Sequence, residues 1–421
     1  MLPARVAPLC LIVNGIDNQP GRGDGGRVFV PRQASETLRR LAAAFPIVAV
    51  TGPRQSGKTT LVQKCFAGVP YASLEDLDQR EFATQDPRGF LAQFPEGAVL
   101  DEVQRCPGIL SYLQGIVDRQ RRMGMFILTG SQQFDLLAGI TQSLAGRVAL
   151  LPLLPFSLGE LEAAGVAAPR LEEHLFTGAY PPIHDRKLEP GLWYGNYVST
   201  YLERDVRRMV NVRDLSSFQR FVRLCAGRTG QLLNLSALAN DCGITHNTAK
   251  AWISVLEASY LVYLLPPHHR NFNKRLIKTP KLYFLDAGLA AWLLGIKEAA
   301  TLRLHAQRGA LFETWVVSEL WKGRFNRAQP SNLFFWRDRT GNEVDVLIED
   351  GPKLHPLEIK SGETINADFF SGLRTWMQVA GQAAGTARLV YGGDQSQTRQ
   401  GVQVLPWRQI TKLAAAIGAV R

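Results

Sequence analysis

Residues 52–59 read GPRQSGKT, a match to G-x-x-x-x-G-K-[ST]. The match sits between an apolar run, Ile47–Val50, and a segment of helical character, TTLVQKCF. Strand, glycine loop and helix in that order are the confirming context for a phosphate-binding loop. Gly52 and Gly57 let the backbone wrap an anion, and successive N–H groups point inward at the helix N-terminus. Pro53, Arg54, Gln55, Ser56 and Thr60 complete the cradle. Lys58 brings a point charge to the β- and γ-phosphates. Thr59 offers its hydroxyl to Mg²⁺. The expected ligand is a nucleoside triphosphate with magnesium.

Further short apolar runs alternate with helical segments: YASLE, AVLDE, MFILTGS and VALLPLLP. This alternation predicts an α/β fold, with a mostly parallel sheet covered on both faces, over about 29–158. An earlier helix, SETLRRLAAAF, takes Ser35 as N-cap and Leu38, Leu41 and Phe45 as its inner face. The run Ala98–Leu100 ends in Asp101 and Glu102, and acids at a strand's carboxyl end lie beside the phosphate crevice. Asp101 is the expected metal holder and Glu102 the group that polarises water. Thr129, Ser131 and Gln132 end the next strand, either reaching the γ-phosphate or capping a loop. Arg147 has two readings of equal weight: a finger on the γ-phosphate of its own or a neighbouring subunit, or a partner for a carboxylate. With Lys58, Thr59, Asp101 and Glu102 all present, hydrolysis is favoured over binding alone.

The net charge is +11, which favours a polyanionic partner, nucleic acid first. From Thr200 to Asp286 thirteen Lys or Arg face six Asp or Glu, so the excess is concentrated there. Within that stretch, after a helical connector (159–230), two helices flank a tight turn at Gly243. Leu235, Leu238, Ala239 and Cys242 point inward on the first helix. Trp252, Ile253, Leu256 and Tyr260 do so on the second, which Thr245 caps. The outer face carries His246, Asn247, Lys250 and Ser254, able to meet phosphates or base edges. LVYLL and KLYFLD then bracket a basic loop with Arg270, Lys274, Arg275 and Lys278, the pattern of a wing. A winged helix is expected over 231–298, contacting DNA or serving as a protein-contact lid.

The last third, 299–421, contains EVDVLIEDGPKLHPLEIK. A turn centred on Gly351–Pro352 sets Asp345 opposite Glu358, with directly opposed Cβ atoms roughly 5 Å apart. Two carboxylates so close repel unless a cation lies between them, and Mg²⁺ or Mn²⁺ suits such oxygen ligands. Glu313, on an upstream helix, is the third acid. Lys360, one pleat along, is placed to assist an attacking water. Pro356 cannot donate to a ladder, so the second strand is expected to begin at Leu357 or to lie on an edge. The alternative is an exposed hairpin with ordinary surface charges.

Five scattered cysteines without a CxxC read as thiols of a reducing compartment. The run APLCLIV is too short to span a bilayer, and a cytoplasmic protein without membrane contact is expected.

The segments VAVTGPRQSGKTTL, LDEVQ, LTGSQ, SLAGR, YLERDVR, PKLYFLDAGL, LFETWVVSEL, FWRDRTGNEVDVLIE and LEIKSG together resemble a large prokaryotic family. Its members join an AAA-type ATPase domain to a C-terminal domain of unknown function that is similar to PD-(D/E)xK nucleases. YASLE is expected as a strand inserted between the phosphate loop and the LDE strand, which resembles the layout of additional-strand NTPases. The resemblance runs from Val30 to Gly381 and leaves residues 1–28 as a loose arm or an upstream start. It implies a cytoplasmic ATPase and a winged-helix middle segment. It also implies a nuclease-like last domain with Glu313, Asp345, Glu358 and Lys360 in the acid, acid, acid and lysine positions. The resulting expectation is an ATP- and Mg²⁺-dependent ATPase acting on or with DNA, with a homo-oligomer completing its sites. Two rivals stand beside it: a nucleotide-gated, metal-dependent nuclease, and a nucleotide-switched regulator with a protein partner.

Overall fold

The computed structural model describes residues 28–131, 144–202, 215–268 and 278–418. Gln132, Arg270, Lys274, Arg275 and the arm 1–27 lie outside the described residues. The chain divides into two compact units, 1–154 with Phe325–Ala328, and 155–324 with 329–421.

The first unit is built on β1 (Ile47–Thr51), β2 (Tyr71–Ser73), β3 (Ala98–Asp101), β4 (Phe126–Gly130) and β5 (Val148–Pro152). All neighbours are parallel, in the order β2-β3-β4-β1-β5. Every residue of β1, β3 and β4 is buried, because helices cover both faces. Ile47, Ala49, Leu100 and Leu128 pack under Leu110, Leu113 and Phe90. Val48, Val50, Val99 and Ile127 pack under Leu38, Leu61 and Val62 on the opposite side. The alternation follows the two-residue pleat, and each such side chain withdrawn from water contributes roughly 1.5–3 kcal/mol. The strand inserted between those of the phosphate loop and of Asp101 is β4, whereas β2, the YASLE strand, lies at the sheet edge.

Ser35 is not the cap of the first helix. The Ser35 N–H already bonds the Arg32 carbonyl at 3.1 Å, so the helix Ala34–Ala44 starts one residue earlier, with Gln33 at the N-cap position. Leu38 and Ala42 are buried there, while Leu41 and Phe45 are only half-buried.

In the second unit the helices Leu158–Ala163, Leu171–Thr177, Pro190–Tyr197 and Leu215–Gly227 precede the helix pair Leu235–Cys242 and His246–Ala258. Gly243, at φ 67°, ends the first member of the pair. The Thr245 hydroxyl accepts from the Thr248 N–H at 3.1 Å to start the second. A three-stranded sheet follows, β6 (Gln231–Leu232), β7 (Val262–Leu265) and β8 (Lys281–Phe284), with β8 in the middle. Asp286, just past β8, accepts from the Ala179 and Leu289 N–H groups and from the Tyr194 hydroxyl, at 2.8, 2.8 and 2.6 Å.

A six-stranded mixed sheet closes this unit: β9 (Leu333–Arg337), β10 (Glu343–Asp350), β11 (Lys353–Lys360), β12 (Arg388–Tyr391), β13 (Gln397–Arg399) and β14 (Val402–Pro406), ordered β13-β14-β12-β11-β10-β9. The helix Ser371–Ala380 lies between β11 and β12 in sequence, and its Leu373 and Trp376 pack on Trp336, Val344, Leu347 and Leu389. Pro356 stands inside β11, an interior strand that begins at Lys353 and not at Leu357. Its missing N–H costs no ladder bond, because pairing with β12 starts only at Leu357.

Candidate functional site

Gly52, at φ 143°, follows β1 directly, and a Cβ there would stand 2.2 Å from the Leu153 carbonyl oxygen. Only glycine lets the chain turn this close to the strand beside it. Gln55 (φ 59°) and Gly57 (φ 90°) are also left-handed, and the helix Lys58–Cys65 starts at once. Its first N–H groups have no intrahelical acceptors and open toward the loop. Arg32 braces the loop from outside the motif, donating to the carbonyls of Ser56 at 2.8 Å and Leu154 at 2.6 Å. Pro53 and Ser56 are buried, Arg54 is half-buried, and Gln55 and Thr60 are exposed.

The buried Lys58 ammonium folds back on the loop, donating to the carbonyls of Gly52 (3.0 Å) and Pro53 (2.8 Å). Burial lowers its pKa to about 8, against the pull of Glu102 and Asp101. Thr59 donates into the Asp101 carboxylate, at 3.2 and 3.1 Å from its two oxygens. Asp101 also takes a 2.7 Å bond from the Tyr71 hydroxyl of β2 and a contact from Thr129. Glu102 has a left-handed backbone, φ 57°, an uncommon state for this residue type. Its carboxylate accepts from Ser131 at 3.2 Å and from the Gln104 amide. Thr129 and Ser131 thus serve the two acids.

Lys58, Thr59, Asp101, Glu102 and Ser131 are therefore assembled around one loop. Arg147 is not among them. It stands just before β5, at the opposite end of the strands from the phosphate loop, where its carbonyl accepts from the Ile47 N–H, and its guanidinium grips Asp118 at 2.5 and 2.9 Å. The carboxylate-partner reading fits this geometry. A finger on the phosphate of its own loop does not, since the length of β1 intervenes.

On the helix pair, Leu238, Ala239, Cys242, Trp252, Ile253, Leu256 and Tyr260 are buried, and Leu235 is half-buried. His246, Asn247 and Lys250 are exposed on the other face, and Lys278 is exposed ahead of β8.

At the C-terminal cluster the turn and register follow the expected hairpin, with Val346 opposite Leu357 and Asp350 opposite Lys353. Pairing stops one step short of Asp345 and Glu358, because a bulge against β9 falls between Val344 and Leu347. The bulge also breaks the simple alternation, placing Val344 and Leu347 together in the core. Asp345 Oδ2 accepts instead from the Ile359 N–H at 2.8 Å. Glu358 Oε1 lies 2.5 Å from the Lys360 ammonium. Burial, and then Asp345, push the Glu358 pKa up to about 8. Glu313 is 3.1 Å from the ammonium of Lys281, and the Tyr283 hydroxyl donates to it at 2.5 Å. Burial raises the Glu313 pKa and Lys281 lowers it, with the net shift upward. Among the described residues no group of three or more His, Cys, Asp or Glu side chains is arranged to hold a metal. Glu313, Asp345 and Glu358, the three acids expected to share a metal, each lie within 4 Å of a lysine ammonium. Lys281, Lys360, the Tyr283 hydroxyl and the Ile359 N–H contact these acids, and Glu358 Oε2 is buried without a hydrogen-bond partner.

The sequence gives no role to Arg32, Tyr71 and Gln104 at the loop, or to Lys281, Tyr283 and Arg337 at the cluster, and the pleat places Glu343 only on the strand face of Asp345. Arg32 lies two residues past Val30, and Lys281 and Tyr283 lie within KLYFLD; neither string carries a signal for what those side chains meet.

The AAA domain family model matches residues 44–162. Two domains of unknown function match 168–300 and 308–410, the latter DUF4143. An uncharacterised protein of Mycobacterium tuberculosis is 31% identical over 337 residues, covering 79% of this chain and 74% of that one. Its counterpart in Mycobacterium bovis gives the same figures. Among solved structures, a Walker-type ATPase of Pyrococcus abyssi aligns over 68% of this chain and 99% of its own, at 14% identity and a TM-score of 0.44. Among the described residues no helix is long and apolar enough to cross a membrane.

Proposed function

The chain belongs to the AAA-type P-loop ATPases that carry a C-terminal domain of unknown function, and from that premise we propose that its ATP hydrolysis acts on or with DNA. The approach of Thr59 to Asp101 carries the nucleotide half of the reading. A hydroxyl and a carboxylate converging beside a phosphate loop form an all-oxygen donor set that suits Mg²⁺. Thr59 and Asp101 would hold the ion, and bound Mg²⁺ would neutralise charge on the phosphates. Lys58 exchanges the Gly52 and Pro53 carbonyls for phosphate oxygens. Glu102, steadied by Ser131 and Gln104, orients and deprotonates the attacking water. Tyr71 and Thr129 hold Asp101 in place.

The DNA half rests on the helix His246–Ala258, whose one face is buried while His246, Asn247 and Lys250 stand exposed at its first turns. Side chains at the start of a second helix are those that meet base edges and phosphates in helix–turn–helix proteins. The test is ATP turnover with and without duplex DNA, in the wild type and in the Asn247→Ala, Lys250→Ala double variant. DNA is expected to change turnover in the wild type and to have less effect in the variant. Turnover indifferent to DNA in both removes the coupling.

A further inference from the structure

Lys281 opens β8, the middle strand of the three-stranded sheet, and is 3% exposed. Its ammonium lies 3.1 Å from Glu313 Oε1 and 3.9 Å from Asp345 Oδ1, and it is in direct contact with Glu343 Oε1. These acids come from the helix Arg308–Phe325 and from β10. Tyr283, two residues along β8, braces Glu313 from the same strand.

Further oxygens around this point are engaged as well, although Glu358 Oε2 is buried without a hydrogen-bond partner. Asp345 Oδ2 holds the Ile359 N–H and lies 3.7 Å from the Lys360 ammonium. Glu343 Oε2 is 3.2 Å from Arg337, and Glu358 Oε1 is bound by Lys360. Four carboxylates thus face three fixed cations, Lys281, Lys360 and Arg337. A divalent ion needs several oxygens converging at about 2.0–2.6 Å. The point at which Glu313, Glu343 and Asp345 converge is taken by the ammonium. To enter, a metal ion must expel it and leave a lysine buried without its partners, a costly state.

We propose that the Lys281 ammonium stands where a divalent cation would sit, so that the Glu313–Glu343–Asp345 cluster is a locked ionic junction between β8 and the C-terminal sheet, not a metal-dependent cleavage centre. The lysine does what a metal would do structurally, holding three acids together, but it supplies no Lewis acid. This inference is independent of the nucleotide site and of DNA binding.

The experiment titrates MnCl₂ into the nucleotide-free full chain and follows free Mn²⁺ by electron paramagnetic resonance, with Tm measured in parallel. Wild type and Asp345→Asn are expected to bind Mn²⁺ equally. Lys281→Met removes the internal cation and is expected to gain about one Mn²⁺ per chain, a site lost again when Asp345→Asn is added. Mn²⁺ should raise the Tm of Lys281→Met and leave that of the wild type unchanged. A wild-type Mn²⁺ site that Asp345→Asn abolishes overturns the proposal, as does a folded Lys281→Met that gains none. If Lys281→Met does not fold, the comparison of wild type with Asp345→Asn decides alone: equal binding supports the junction and a lost site refutes it.

Discussion

The Thr59 hydroxyl donates into the Asp101 carboxylate across the mouth of the phosphate loop, 3.2 Å from Oδ1 and 3.1 Å from Oδ2. The Tyr71 hydroxyl approaches the same carboxylate from the sheet edge, 2.7 Å from Oδ2. Outer partners of this kind orient a metal ligand, and losing one typically costs 10–100-fold in metal affinity. Tyr71→Phe should therefore raise the Mg²⁺ concentration needed for half-maximal turnover by roughly 10-fold, with most of kcat kept at saturating Mg²⁺. An unchanged Mg²⁺ requirement would mean that Tyr71 does not serve Asp101.

The buried Lys58 makes a prediction in pH. Its folded pKa, about 8, lies below the ordinary 10.5, so the fold penalises the charged form by an amount on the order of 3 kcal/mol. The penalty is fully present below about pH 8 and is relieved as pH rises from there toward 10.5. A triphosphate beside the ammonium favours the charged form again. Nucleotide binding should then take up a proton above about pH 8, and affinity should fall there. Calorimetry at about pH 7 and about pH 9, in buffers of different ionisation enthalpy, reads this directly. No proton uptake at the higher pH is the contrary result.

Gly52 and Gly68 separate two costs of adding a methyl group. Both have positive φ, but a Cβ at Gly52 meets the Leu153 carbonyl at 2.2 Å, while at Gly68 nothing lies within 4 Å. Gly68→Ala should cost only the left-handed backbone penalty, roughly 1–2 kcal/mol. Gly52→Ala should cost clearly more, because backbone must shift, and should abolish nucleotide binding. Equal losses of Tm in the two variants would show that the contact with Leu153 is easily relieved.

What could be read in the sequence was local. The phosphate loop and Asp101 were legible because motif, strand and helix follow one another within a few residues. The β10–β11 register was legible because a tight turn fixes cross-strand partners. Contacts between distant segments were not. Tyr71 reaches Asp101 across 30 positions, and Lys281 reaches Glu313 across 32. Nothing in the strings YASLE or KLYFLD announces either contact. Pro356 misled because a missing N–H matters only where a neighbouring strand would accept it, and pairing with β12 starts one residue later. The bulge at Val344–Leu347 was hidden by the apparent alternation of EVDVLIE. Arg147 had two readings, and only the Asp118 contact separates them for its own subunit.

For the helix pair, Lys250 is an exposed cation and Asn247 an exposed amide on one helix turn. Lys250→Ala should weaken DNA binding about equally across sequences and lower the slope of log affinity against log salt by about 1. Asn247→Ala should instead reduce discrimination between sequences. Binding isotherms at several salt concentrations test both, and an unchanged slope in Lys250→Ala would remove that residue from the interface.

The most direct measurement is steady-state ATP turnover of Glu102→Gln beside nucleotide affinity of the same preparation. Loss of a positioned general base costs about 10²–10⁴-fold in rate. Glu102→Gln is expected to lose that much in kcat with ATP still bound, and Lys58→Ala to lose binding as well. A Glu102→Gln protein that turns over ATP at the wild-type rate would contradict this role of Glu102.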